Sequence, residues 1–240
     1  MIKLDILVLP VHPDDAELGC AGTILKHIAS GKKVGIADLT HGELGTRGSA
    51  EIREQEAASS AKILGLSVRE NIGIPDGFFQ NTPEYQLKVI EAIRKYQPEI
   101  IITNAHHDRH PDHGRASELV EASAFLSGLI KIETYFNGEL QQAWRPRLVL
   151  HFIQDHYIKP DILVDVTEHW DKKVESIHAY ASQFFNPNWQ NEPQTYISSP
   201  DFIQVIEARA REFGKSIKVK YAEGFTSGKI LGVDSLFDLL

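Results

Sequence analysis

The sequence predicts an α/β, Rossmann-like fold: a mostly parallel sheet with helices on both faces and an active site at the carboxyl ends of the strands. Its strand-like segments are short, continuous apolar runs such as DILVLP and EIIIT, which are typical of strands buried on both faces. They alternate with helical segments of about ten to seventeen residues, the pattern of right-handed βαβ units. Polar clusters follow two of these strands, where open parallel sheets bind ligands.

The elements follow one another in a regular order, and several carry end signals. The first strand has apolar positions without alternation, and the helix after it ends at Gly31, a suitable C-cap residue. The second helix has Ser49 as its expected N-cap and Gly65 at its end. Strands are predicted at residues 4–10, 33–40, about 70–74, 99–103, 147–153 and 161–166, and helices at residues 16–31, 49–65, 83–97, about 113–129, 166–184 and 200–214.

Length and composition limit the class of protein. The 240 residues fit one large domain, and we expect residues 1–240 to form it. A formal net charge of -8 argues against a dedicated nucleic-acid or anionic-membrane binder. The only cysteine, Cys20, excludes an intrachain disulfide and is expected to be buried. No apolar run has the length of a signal peptide core or a membrane span, so a cytoplasmic location is the expectation.

One long segment, residues 184–200, contains no helix or strand signal. Structureless segments of this length in compact domains are often lids or binding loops. The alternative is a packed surface excursion around Trp189. The sequence leaves both open.

Two polar clusters carry the chemistry. HPDD follows the first strand, and NAHHDRHPDHGR follows the strand that ends near Thr103. Each cluster alone is ordinary loop material, but together they meet at the same edge of a parallel sheet. His12, Asp15 and His113 supply the three His and carboxylate ligands that a hydrolytic zinc ion takes while it keeps a position open for water.

The residues beside those ligands suggest catalytic roles. Asp14 is free to take a proton from the water, as an adjacent carboxylate that does not bind the metal. His110 is a candidate to protonate the leaving group or steady the oxyanion. Asp112 is expected to set the tautomer of His110 and to raise its pKa.

PVHPDDAELGCAGTI and HHDRHPDH resemble the LmbE-like, or PIG-L, family of zinc-dependent N-acetylglucosamine deacetylases. DLTHGELGTRGSAEIREQE and YAEGF extend the resemblance over essentially the whole chain. Within the family the chain looks most like the bacillithiol-pathway enzymes that deacetylate N-acetylglucosaminyl-malate. The resemblance implies one Zn²⁺ per chain, held by His12, Asp15 and His113, with Asp14 as general base and His110 and Asp112 assisting. Some members place a tyrosine over the metal, and Tyr196 lies in that region, although its local sequence differs.

The resemblance also implies the partner, a small amino-sugar conjugate. Neither nucleic acid nor membrane is expected as a partner, given the negative charge, and a homo-oligomer stays possible. Arg53 lies on an apolar stripe of its helix and is expected either to clamp a substrate carboxylate or to pair with Asp14 or Asp112. Arg109 is a second candidate for substrate binding, and Arg47 a third.

The remaining histidines fall outside the predicted ligand set. His41 is interpreted as a loop residue, and His106 and His107 are assigned to the rim of the site. The others show no spacing that links them to it: His27, His151, His156, His169 and His178.

Several alternatives remain. One alternative substrate is another GlcNAc conjugate or an oligosaccharide. An alternative reaction is phosphoester cleavage. Iron(II), cobalt or manganese also fits the ligand types. A non-catalytic Rossmann-type binding module is disfavoured, because HPDDAELG stands where such modules have a glycine-rich turn.

Overall fold

The computed structural model describes residues 2–187 and 193–239 of the chain. These residues form strands and α-helices in the following order: β1 (Ile6–Leu9), α1 (Asp15–Ala29), β2 (Val34–Asp38), α2 (Ala50–Leu64), β3 (Val68–Asn71), α3 (Pro83–Tyr96), β4 (Ile100–Thr103), α4 (Pro111–Leu126), β5 (Tyr135–Phe136), β6 (Glu139–Leu140), β7 (Leu148–Phe152), β8 (Ile162–Asp165), α5 (Trp170–His178), α6 (Phe202–Ser216) and β9 (Ala222–Ser227). Two short 3-10 helices lie at Thr167–His169 and Leu236–Leu239. None of the described helices is both long enough and apolar enough to cross a membrane.

Seven strands form one sheet in the order β3-β2-β1-β4-β7-β9-β8. β1 lies inside the sheet and pairs in parallel with β2 and β4, so that Leu7 stands opposite Gly35 and Ile101. β3 and β7 continue the parallel arrangement on either side. The mostly parallel α/β sheet that the sequence predicts is therefore confirmed.

The continuous apolar runs follow from helices on both faces of the sheet. Along β1, Leu7 and Leu9 pack in a cluster with residues of α3 and α4. Ile6 and Val8 point the other way, into a cluster with α1 that includes the fully buried Cys20. Successive side chains of a strand face opposite sides, so a strand covered on both faces must be apolar at every position.

Most predicted boundaries hold to within a few residues, and the capping residues of α2 behave as expected. Ser49 Oγ accepts a hydrogen bond from Ile52 N, and Gly65 adopts the left-handed conformation with φ of 75°. The helix predicted at 166–184 is wrong in its extent, since α5 ends at His178. After α5 the chain turns inward, because the buried Glu56 carboxylate accepts hydrogen bonds from both the N–H and the hydroxyl of Ser182.

Strand β9 and the small β5–β6 hairpin are missing from the sequence prediction. β9 lies antiparallel between β7 and β8, so it completes the sheet rather than extending its edge. Its Glu223 carboxylate is buried and accepts hydrogen bonds from Gly22 N, Thr23 N and Lys173 Nζ, the last at 2.6 Å. β9 therefore ties α1 to α5 in the interior.

We expect Glu223→Ala to lower the free energy of unfolding by about 3–5 kcal/mol, because it leaves the buried Lys173 ammonium without its carboxylate. Chemical denaturation monitored by circular dichroism measures the change. Glu212→Ala, at an exposed position of α6, is the control and should change stability by less than about 0.5 kcal/mol. Equal changes in the free energy of unfolding for the two substitutions would show that the buried ion pair does not stabilise the fold.

Candidate active site

An open pocket of about 370 Å³ lies where β1, β2, β3, β4 and β7 end, at the carboxyl edge of the parallel strands. Residues of both polar clusters that the sequence singles out line it. Its lining includes His12, Asp14, Asp15, Leu44, Arg53, Asp76, Phe78, Arg109, His110, His113, Gln154, Gln183 and Tyr196. Asp112, fully buried, lies behind this surface.

Asp15 joins the two clusters. Its Oδ2 atom lies 3.4 Å from His12 Nδ1, and its Oδ1 atom lies 3.3 Å from His113 Nε2. The side chains of Asn104 and Gln154 donate hydrogen bonds to the same carboxylate at 3.1 and 2.7 Å. The three residues predicted as ligands are therefore in mutual contact, with the carboxylate between the two imidazoles.

A second carboxylate holds each imidazole from behind. Asp108 Oδ2 lies 2.7 Å from His113 Nδ1, and Asp76 Oδ1 lies 3.0 Å from His12 Nε2. These contacts orient both rings and leave His113 Nε2 and His12 Nδ1 turned towards Asp15. Metal-binding histidines in proteins commonly have such an outer partner on the nitrogen that does not bind the metal.

The two histidines and Asp15 stabilise one another's charged forms. Burial would lower the pKa of His113, but Asp15 and Asp108 raise it to about 9. Burial would raise the pKa of Asp15, yet His113 and His12 hold it well below its ordinary value. The ring nitrogens of His12, His110 and His113 lie within 4.8 Å of one another, close enough to bind a single ion.

Asp14 lies in a different environment from its neighbour. It is 5% exposed, it lines the pocket, and within the described residues no hydrogen bond or ion pair reaches its carboxylate. Burial raises the pKa of Asp14 to about 7, against the opposing charge of Arg53. Its backbone has φ of 118°, a strained conformation for a residue other than glycine. Among the described residues, Asp15 is therefore bound between two histidines, whereas the Asp14 carboxylate has no partner.

The expected pairing of Asp112 with His110 is not what the structure shows. His110 Nδ1 accepts a hydrogen bond from the backbone N–H of Asp112 at 3.3 Å, so the backbone sets the tautomer. The Asp112 carboxylate instead accepts from Gly77 N at 2.9 Å and from Arg115 Nη1 at 2.6 Å. Burial lowers the pKa of His110, as do the neighbouring His12 and His113, whereas the sequence interpretation expected it to rise.

Arg53 lies in the pocket wall and is only 7% exposed. Its Nη2 donates to Gln183 Oε1, whereas its Nε has no partner in the described part of the chain. Among those residues no carboxylate lies within 4.0 Å of the guanidinium, and Asp112 pairs with Arg115. The sequence left two roles for Arg53, a substrate clamp and an internal ion pair. The described residues contain no such ion pair.

Arg109 lies at the rim, 4.7 Å above the ring of Tyr196 and with Nε 3.4 Å from Asp155 Oδ2. Arg47 is buried beside the pocket, and its backbone oxygen accepts from Gln183 Nε2 at 2.8 Å. The segment 184–200 reaches the pocket through Thr195, Tyr196 and Ile197. Residues 188–192, including Trp189, lie outside the described residues, so the choice between a lid and a packed excursion stays a prediction.

Sequence reasoning missed four residues that support the site: Asp76, Asn104, Asp108 and Gln154. Asp76 and Gln154 lie in the loops that follow β3 and β7, on the same edge of the sheet as the two clusters. Applying the strand-end rule to every strand, rather than to the two with histidine-rich loops, would have found them. Asn104 and Asp108 stand inside the second cluster, where spacing alone does not distinguish them from ordinary loop residues.

Comparison with known proteins agrees with this arrangement. The model of the PIG-L family, described as GlcNAc-PI de-N-acetylase, matches residues 7–124. The crystal structure of the conserved protein TT1542 from Thermus thermophilus superposes with a TM-score of 0.84 and 36% identity, over 97% of this chain and 98% of that one.

Curated relatives point to several substrates. A diacetylchitobiose deacetylase of Thermococcus kodakarensis is 28% identical over 91% of this chain and 81% of its own length. A probable N-acetyl-alpha-D-glucosaminyl L-malate deacetylase 2 of Bacillus anthracis is 28% identical over 75% and 81%. A 4-oxalmesaconate hydratase of Pseudomonas putida is 26% identical over 74% and 73%. With the family model, the fold and both motifs in agreement, the chain belongs to the PIG-L (GlcNAc-PI de-N-acetylase) family of enzymes.

Proposed function

We propose that the protein is a zinc-dependent hydrolase that removes the acetyl group from an N-acetylglucosamine conjugate. The observation that carries the proposal is the contrast between the adjacent aspartates. Asp15 is held between two imidazoles, as a metal ligand would be, whereas Asp14 faces the pocket without a partner among the described residues. A hydrolytic site needs both a bound metal and a free base beside it.

The donor set fits zinc. Zn–N and Zn–O bonds of about 2.0–2.2 Å place neighbouring donors of a tetrahedral site roughly 3.3 Å apart. The separations of 3.4 Å from His12 to Asp15 and 3.3 Å from His113 to Asp15 match that value. His12 also contacts Asp76 and Asp112, but Asp112 is already bonded to Gly77 and Arg115, so we assign those carboxylates to the support of the site. His12, Asp15 and His113 would hold the ion.

A zinc ion bound there would polarise the acetamide carbonyl and increase the acidity of the attacking water. Asp14 is placed to accept the proton of that water, since its carboxylate faces the pocket and has no competing donor in the described part of the chain. His110 carries its proton on Nε2 when neutral, because Nδ1 accepts from the backbone, and so can donate a hydrogen bond to the developing oxyanion. Collapse of the tetrahedral species breaks the C–N bond, and the amine takes up the proton that Asp14 accepted as acetate leaves.

The pocket also suggests the kind of conjugate. Arg53 has unmet hydrogen-bonding capacity in the wall, and Arg109 adds a second guanidinium at the rim. Together with the likeness to the malate deacetylase, this supports N-acetylglucosaminyl-malate as the substrate. The similarity to a diacetylchitobiose deacetylase supports the alternative, an oligosaccharide or another GlcNAc conjugate.

The test is acetate release from a panel of N-acetylglucosamine conjugates, measured with and without a chelator. We expect release that the chelator abolishes and added zinc restores. Since one relative of similar sequence is named as a hydratase, the measured quantity is acetate itself rather than loss of substrate. Absence of acetate from every conjugate at full zinc occupancy would refute the proposal.

The role of Arg53 gives a sharper prediction about substrate choice. If its guanidinium binds a malate-like carboxylate, Arg53→Ala should reduce kcat/KM for the anionic conjugate roughly ten- to a hundred-fold, because hydrogen bonds to charged groups contribute about 1.5–3 kcal/mol. The same variant should change little towards uncharged N-acetylglucosamine. Arg53→Lys keeps the charge but lacks the planar guanidinium, so its kcat/KM for the anionic conjugate should lie between those of the wild type and Arg53→Ala.

Equal losses on both substrates would contradict this assignment. They would show that Arg53 supports the pocket itself, through Gln183 and the tight packing of its guanidinium against Gly42. The deacetylase proposal would survive that outcome, but the main structural support for an acidic conjugate would not.

A further inference from the structure

A second cluster of metal-binding side chains lies outside the candidate active site. His106 comes from the loop after β4, Glu121 from α4 and His151 from β7. The Nε2 atoms of His106 and His151 lie 3.4 and 3.1 Å from the same atom, Glu121 Oε1. The two imidazole rings are tilted against each other with their centroids 4.1 Å apart. Three elements therefore bring three donors to one point.

The hydrogen bonds of His151 make this arrangement unusual. Its Nδ1 lies 2.8 Å from the backbone oxygen of Asn104 and 3.0 Å from Ser117 Oγ, which also lies 2.8 Å from His106 Nδ1. A carbonyl oxygen can only accept, whereas a hydroxyl can accept as well as donate, so a ring proton on Nδ1 satisfies both contacts of His151. His151 Nε2 then presents a lone pair to a carboxylate oxygen 3.1 Å away. Two acceptors that face each other need either a metal ion between them or a second proton on the imidazole. An Nδ1–H bond to a backbone carbonyl is also the usual support of a metal-binding histidine.

We propose that His106, Glu121 and His151 form a second metal site, selective for late first-row divalent ions such as Zn²⁺ or Co²⁺. Two imidazoles and one carboxylate suit such ions better than they suit Mg²⁺ or Ca²⁺, which prefer oxygen ligands. The observed donor separations bracket the roughly 3.3 Å expected between ligands of a tetrahedral zinc ion. The side chains of His106 and Glu121 are 47% and 39% exposed, which leaves a fourth position open to water.

The second site touches the candidate active site through one residue. The backbone oxygen of Asn104 accepts from His151, while its side-chain amide donates to Asp15 Oδ2 at 3.1 Å. Metal binding would also fix His106, which lies in the same loop as Asp108 and His110. An ion bound there would therefore stabilise the loop without contacting the substrate pocket, and its existence does not depend on the proposed reaction.

The experiment is a titration of the holoenzyme with Co²⁺, followed by absorption spectroscopy and by the metal content after dialysis. We expect one further equivalent per chain in the wild type, together with a rise in Tm. Glu121→Gln removes one ligand and nothing of the active site, and should weaken this binding by more than the ten- to hundred-fold typical of losing an outer partner. Glu118→Gln, an exposed carboxylate on the same helix, is the matched control and should bind as the wild type does.

Two results would overturn the inference. One is a wild-type holoenzyme that takes up no further Co²⁺, which would mean that a protonated histidine bridges to Glu121 instead. The other is a Glu121→Gln variant that binds the added Co²⁺ as tightly as Glu118→Gln does. Because the readout is metal binding rather than acetate release, failure here and failure of the deacetylase proposal are distinguishable.

Discussion

Asp14→Asn should reduce kcat roughly 100- to 10,000-fold while the metal stays bound, because general-base catalysis typically contributes that much. The substitution removes the free carboxylate in the pocket and leaves the contacts of Asp15 with His12, His113, Asn104 and Gln154 untouched. Asparagine tolerates positive φ better than most residues, so the strained backbone at this position should persist. Steady-state kinetics and metal analysis of the same preparation give both quantities.

The reciprocal variant separates the two aspartates. Asp15→Asn should lower the metal content, since it weakens the carboxylate that both histidines contact. If Asp14→Asn loses its zinc and Asp15→Asn retains it, the proposed roles must be exchanged. If Asp14→Asn keeps both its metal and its turnover, another group takes the proton from the water.

The sequence was sufficient to predict the sheet, its parallel direction and the edge that carries the site. Continuous apolar runs and the order of strands and helices determine these features, and both are visible in one dimension. β9 escaped prediction because AEGFTS has little apolar content, and its place between β7 and β8 depends on pairing with distant segments. Such pairing is set by the rest of the sheet rather than by local propensity.

Within the site, the residue types were easier to predict than their partners. Spacing places Asp112 beside His110 in the chain, but the helix start turns its carboxylate towards Gly77 and Arg115. His106 and His151 are far apart in the chain and show no common motif. They meet because β4 and β7 are neighbours, with Thr103 opposite His151 in the register. Contacts of this kind follow only from the three-dimensional pairing.

His113→Ala should lose bound zinc and deacetylase activity together. His113 Nε2 faces Asp15, and Asp108 supports the other ring nitrogen. Among the described residues only His12 has the same pair of contacts, with Asp15 and Asp76. Two ligands remain after the substitution, one fewer than catalytic zinc sites normally use. Circular dichroism should show that the fold largely survives, because most of the sheet and both apolar layers are independent of this side chain.

Two neighbouring histidines provide the controls for that experiment. His107→Ala, at an exposed position of the same loop, should keep both zinc and activity. His110→Ala should keep its zinc and lose turnover, although a ring nitrogen of His110 lies within 4.8 Å of those of His12 and His113. Its Nδ1 is occupied by the backbone N–H of Asp112, and no carboxylate of the described residues supports it from behind as Asp108 supports His113. A His113→Ala enzyme with full zinc, or a His110→Ala enzyme without it, would transfer the third ligand position from one histidine to the other.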